Sequence, residues 1–67
     1  MTDEALLSLT PYSREFYKDV EIRFVHDGDE HYAFFEFNGH LYCRHLYPNY
    51  DRNNALRAIY RTLDKLK

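Results

Sequence analysis

The stretch Tyr32–Tyr47 constrains the fold more than any other, because it bends at Asn38-Gly39. Both central residues of a type I′ hairpin turn need positive φ, and Asn-Gly tolerates that best. The flanks are rich in Phe and Tyr, which suit a pleated, half-buried surface. The pattern predicts a β-hairpin with Phe37 opposite His40 and Phe35 opposite Tyr42.

The neighbouring residues extend the hairpin into a sheet. Val20–His26 alternates apolar and polar residues and reads as a strand. Asp27-Gly28-Asp29-Glu30 is its turn, with Gly28 supplying positive φ. A four-residue or a two-residue loop there leaves the faces unchanged and shifts only the pairing. A strand from about His31 to Phe37 and another from His40 to Tyr47 complete a three-stranded antiparallel meander.

Helices flank the meander. Residues 2–9 read as a short helix, capped by Thr2 or Asp3 and with acids in its first turn. Thr10-Pro11 restarts the chain. A further helical turn or two is expected from Pro11 to about Lys18, either as a kinked continuation or as a second helix. After Pro48-Asn49, Asp51 is the expected cap of a helix over Arg52–Leu66, whose Leu56, Ile59, Tyr60, Leu63 and Leu66 share one face. The fold class is therefore α+β, with the order helix, three strands, helix.

Alternation assigns the side chains to faces. One face carries Val20, Ile22, Phe24, Ala33, Phe35, Phe37, Tyr42 and Leu46, and the C-terminal helix is expected to pack there. The other carries Glu21, Arg23, Val25, Tyr32, Phe34, Glu36, Leu41, Cys43, His45 and Tyr47, with Arg23 and Glu36 placed to pair diagonally. Two readings of its aromatic residues stay open. Leu6, Leu9 or Phe16 fold over them as a second core layer, or Tyr32, Phe34, Leu41 and Tyr47 form a docking surface.

Sixty-seven residues make one small domain. Cys43 is the single cysteine, so no disulfide forms within the chain and a reducing, cytoplasmic setting is expected. Seven Tyr and five Phe supply the buried area instead. The acidic start (Asp3, Glu4) and the short apolar runs do not read as a secretory signal or a membrane span. The net charge of −2 hides an asymmetry, with −6 over residues 1–37 and +4 over residues 38–67.

Chemistry-bearing constellations are sparse. His26 and His31 flank the first turn, while Cys43 and His45 share the opposite face, so the four cannot form one metal site. Cys43 beside His45 lacks an orienting third group. Gly28 and Gly39 are both accounted for by turns, which leaves no phosphate loop. No cofactor or metal is expected, and catalysis is not.

The element order resembles the double-stranded-RNA-binding domain over most of the chain. That family grips phosphate with lysines at the start of its second helix. The matching stretch here, Asp51-Arg52-Asn53-Asn54-Ala55-Leu56-Arg57, carries one acid and two arginines. The resemblance implies nucleic-acid contact at Arg52 and Arg57, and Arg57, Arg61 and Lys65 form a basic stripe at i, i+4 and i+8 on the last helix that would extend it, although an overall pI near 6 runs against it.

The favoured reading is a non-catalytic protein-interaction module, an adaptor or inhibitor of the kind phages and mobile elements encode. Its anchors are Tyr32, Phe34, Leu41 and Tyr47. Its acids Asp3, Glu4, Glu15, Asp19, Asp27, Asp29 and Glu30 steer a basic partner, such as a nucleic-acid-binding protein or a second copy of the chain.

Overall fold

In the computed structural model, which describes residues 2–67, the bend at Asn38-Gly39 has φ of 52° and 79°. It joins β3 (Glu30–Phe37) to β4 (His40–Leu46), with Phe37 paired to His40 and Phe35 to Tyr42. The mirror-image turn and its register are those expected of Asn-Gly. β2 (Val20–Asp27) pairs with β3 through Phe24 and Ala33, and Asp27 pairs with Glu30. The loop between them is thus the two-residue form, with Gly28 at φ 62°.

A fourth strand replaces the expected helical turns after Pro11. β1 (Ser13–Tyr17) pairs with β2, so the sheet order is β1-β2-β3-β4. Its exposure alternates, with Ser13, Glu15 and Tyr17 half-buried and Arg14 and Phe16 exposed. Five residues give helical and strand periods little room to differ, and pairing satisfies the backbone of β2 that would otherwise be left open. The turn after β1 is Lys18-Asp19, with φ of 50° and 65°. Left-handed backbone at two non-glycine residues costs energy, and this dipeptide carries no turn signature.

Two helices complete the chain. In α1 (Asp3–Ser8) the Thr2 hydroxyl oxygen accepts from the Ala5 N–H at 3.2 Å. In α2 (Arg52–Leu66) the Asp51 carboxylate accepts from the Asn53 N–H at 2.9 Å. Both are N-caps that satisfy donors the helix leaves open.

The sheet is covered on both faces. On one, Ile22, Phe24, Ala33, Phe35 and Leu46 pack with Ala55, Leu56, Ile59 and Leu63 of α2. On the other, Leu6 of α1 closes over Val25 and Phe34, with Leu9, Tyr32 and Leu41 around them. The alternation read from the sequence holds in all three expected strands. Arg23 departs from expectation. It bonds Glu21 on its own strand, Nε to Oε1 at 2.5 Å, rather than pairing with Glu36, and its guanidinium stands 5.7 Å from the Phe34 ring centre.

α2 leans toward the β1 side. Tyr60 stacks on Tyr17 with centroids 4.1 Å apart. Asp64 accepts from the Tyr17 hydroxyl at 3.0 Å and from Lys18 Nζ at 2.5 Å. At the other end of the helix, the Arg52 guanidinium lies 4.3 Å from the Phe24 ring centre and donates to Ser13 Oγ at 2.6 Å and Glu15 Oε1 at 2.9 Å. Among the described residues, no helix is long and apolar enough to cross a membrane.

Candidate functional site

The cover over the second face is partial, and that decides which aromatic residues remain available. Phe34 is 1% exposed beneath Leu6, so it belongs to the core and not to a surface. Leu41 is half-buried against the same cluster. Phe16, a candidate lid in the sequence reading, instead points to solvent from the edge strand β1 at 68% exposure.

At the end of the sheet that carries the β2–β3 turn, three rings form a ladder that starts at Tyr32, half-buried against the Leu6 layer, and runs outward. Tyr32 and His45 are directly opposite across β3 and β4, with centroids 5.2 Å apart. Two residues further along the same face, Tyr47 meets His45 edge-on at 4.9 Å. His45 Nε2 lies 2.5 Å from Glu30 Oε2, which fixes the imidazole between the two tyrosines. Tyr47 is 70% exposed at the outer end. Tyrosine presents much rigid area with few rotatable bonds, so such a ladder loses little entropy on contact. His45 was not singled out from the sequence as a site residue. Its parity with Tyr47 and its pairing opposite Tyr32 were the signals available.

The acids divide. Asp27, Asp29 and Glu30 are all exposed in or beside the β2–β3 turn, next to the ladder. Asp3 is near enough to Cys43, on the ladder's face of β4, to act on its thiol. Glu4 is exposed in the same first turn of α1. Glu15 is engaged by Arg52, and Asp19 sits in the β1–β2 turn at the opposite end of the sheet. The seven acids are therefore not one surface.

Desolvation, with a contribution from Asp3, raises the Cys43 thiol above its ordinary pKa, so the reactive thiolate is disfavoured. On the α2 face, His26 and His31 do come together, with ring centroids 5.8 Å apart. Tyr12 fills the corner beside them. Its hydroxyl is 3.2 Å from His31 Nδ1 and 3.1 Å from the Tyr50 hydroxyl. Burial, then the bond to Tyr50, pushes its pKa up to about 12. Among the described residues, no group of three or more His, Cys, Asp or Glu is arranged to hold a metal.

Of the four candidate nucleic-acid contacts, Arg52 is committed inside the fold. Arg57, Arg61 and Lys65 are exposed on α2. Three surface hollows among the described residues measure about 150, 160 and 190 Å³, below the roughly 300–1,000 Å³ of small-molecule pockets. No family profile, no curated protein and no solved structure matches this chain.

Proposed function

We propose that this chain is a non-catalytic protein-binding module that docks a partner on the Tyr32–His45–Tyr47 ladder. The observation that carries the reading is Tyr47, a large ring left 70% exposed yet held edge-on by His45. A fixed aromatic residue at a surface is the usual anchor of an interface. Asp27, Asp29 and Glu30 beside it give the surface an acidic rim, which suits a partner with a basic rim and quickens its approach. A nucleic-acid-binding protein fits that description. So does a second copy of the chain, through its Arg57–Arg61–Lys65 stripe.

The test is affinity capture from host extract with wild type and a Tyr47→Ser/His45→Ser variant, matched for fold by near-ultraviolet circular dichroism. The expected result is loss of a defined partner by the variant. Retention of every partner by the folded variant contradicts the reading. Sedimentation at micromolar concentration separates self-association from capture of a different protein.

The second reading is nucleic-acid binding through Arg57, Arg61 and Lys65. The exposure of these three side chains favours it, and the internal engagement of Arg52 weakens it. Duplex RNA or DNA bound with a steep salt dependence, and lost in Arg57→Glu/Arg61→Glu, would establish it.

A further inference from the structure

The tip of the β2–β3 hairpin reads His26-Asp27-Gly28-Asp29-Glu30-His31, with a histidine at each end of a turn that carries three carboxylates. Asp27 and Glu30 close a two-residue loop, and a closing pair of this kind exchanges its backbone hydrogen bonds. The next pair, His26 and His31, is therefore of the non-bonded type, in which facing side chains stand nearer each other. Their ring centres are 5.8 Å apart and the planes are tilted by 33°. Two imidazoles that share one tetrahedral ion, each nitrogen about 2.0–2.1 Å from it, have ring centres about 5–6 Å apart.

The surroundings fix one ring and leave the other accessible. Tyr12 stands edge-on to His31 at 5.7 Å, and Tyr50 lies 6.1 Å from it on another side. The Tyr12 ring is itself set against the buried Phe24. Its hydroxyl is within bonding distance of both His31 Nδ1 and the Tyr50 hydroxyl. With Tyr12 donating to Tyr50, its oxygen accepts from His31 Nδ1–H. That tautomer puts the His31 lone pair on Nε2, and a ligating histidine is held in this way by a partner at its other nitrogen. His26 is exposed beside it.

Charge at the tip suits a cation. Asp27, Asp29 and Glu30 are all exposed there. Alternation turns Asp27 and Glu30 to the opposite face, so they add negative field and not ligands. Arg52, the cation that acts on the Tyr12 hydroxyl, is paired with Glu15. We infer that His26 and His31 together bind one divalent transition-metal ion of the zinc type, with water completing its shell. Imidazole suits such ions, whereas magnesium and calcium take oxygen ligands. Two protein ligands are fewer than the three or four of catalytic and structural zinc sites, so the ion exchanges and the fold forms without it. When bound, it clips β2 to β3 at the end of the sheet that carries the ladder.

The site lies on the α2 face, apart from the ladder, so its failure would leave the docking reading untouched. The probe is Zn²⁺ alone, titrated into the full chain at about pH 7.5. Imidazole C–H resonances read location, and calorimetry reads stoichiometry. The rings of His26 and His31 should shift together while His40 and His45 stay in place, with one ion bound per chain. Saturating zinc should raise the urea midpoint, because it binds the folded chain. His26→Gln should abolish both the shift at His31 and the gain in midpoint, and His40→Gln should change neither. Tyr12→Phe, which keeps the ring, should weaken binding about tenfold. Four results overturn the inference. They are no shift at either ring, a shift at Cys43 and His45 in their place, undiminished binding in His26→Gln, and one ion shared between two chains in a zinc-induced dimer. Equal binding of Mg²⁺ at the tip would also overturn it, by assigning the ion to the carboxylates. Equal zinc affinity in Tyr12→Phe would overturn the positioning role given to Tyr12.

Discussion

Arg52 illustrates how a single side chain can be misassigned from its position alone. At the start of a helix it stands where a phosphate-gripping residue would stand. The strand β1 places Ser13 and Glu15 under its guanidinium and Phe24 beneath its plane, so its role is to join helix to sheet. Arg52→Met should lower stability by about 1–2 kcal/mol in chemical denaturation. Arg52→Lys should not restore it, because one ammonium cannot reach two acceptors and stack at once. Equal stability of wild type and Arg52→Met would contradict this role.

Titration at the residue scale has two limbs. Hydrogen bonds from Lys18 and then Tyr17 hold the Asp64 carboxyl below its ordinary range. Its stabilising contribution is complete above the ordinary carboxylate pKa and is lost as pH falls through the lowered folded value. Asp64→Asn should therefore flatten the acid limb of a stability profile measured by urea midpoint. Tyr12 runs the other way. Its proton is held to about 12 in the fold and released near 10 in the unfolded chain. Stability falls between those values as pH rises, and Tyr12→Phe should flatten that alkaline limb.

At the scale of elements, the legible parts carried a local chemical instruction and the illegible parts did not. Asn38-Gly39 dictates a mirror-image turn, and Asp51 followed by a spaced apolar face dictates α2. Both appear as read. Ser13–Tyr17 carries no such mark. Its turn, Lys18-Asp19, is held by Lys18 and Tyr17 bonding Asp64 and not by its own preference, so only the tertiary structure reveals the strand. Asp19→Gly, which keeps the Lys18 ion pair, should raise stability by roughly 0.5–1 kcal/mol by relieving left-handed backbone at φ 65°. No gain in the urea midpoint would mean that Asp19 is unstrained. α1 is similar. Its cap was readable, but its docking on Val25 and Phe34 was one of two open readings. Leu6→Ala should cost about 2 kcal/mol or more and expose Phe34 to a hydrophobic dye.

At the scale of the whole molecule, side-chain parity through one hairpin sorts the aromatic residues into two cores and a remainder. The inward set packs under α2, the Val25–Phe34 layer packs under α1, and the ladder runs from Tyr32, half-buried against that layer, out to His45 and Tyr47, which are exposed. Of the charged residues, Asp27, Asp29 and Glu30 gather beside the ladder, while Arg57, Arg61 and Lys65 are exposed on α2. Which acids gather was not legible beforehand, because Glu15 and Asp19 depend on a strand the pattern did not announce.

The arrangement is tested most directly by paramagnetic broadening of ring protons with a soluble gadolinium chelate. Tyr47 and Phe16 should broaden strongly while Phe34, Phe35 and Phe24 stay sharp. Broadening of Phe34 to the level of Tyr47 would show that α1 does not cover the sheet, and it would contradict both the second core and the boundary of the proposed docking surface.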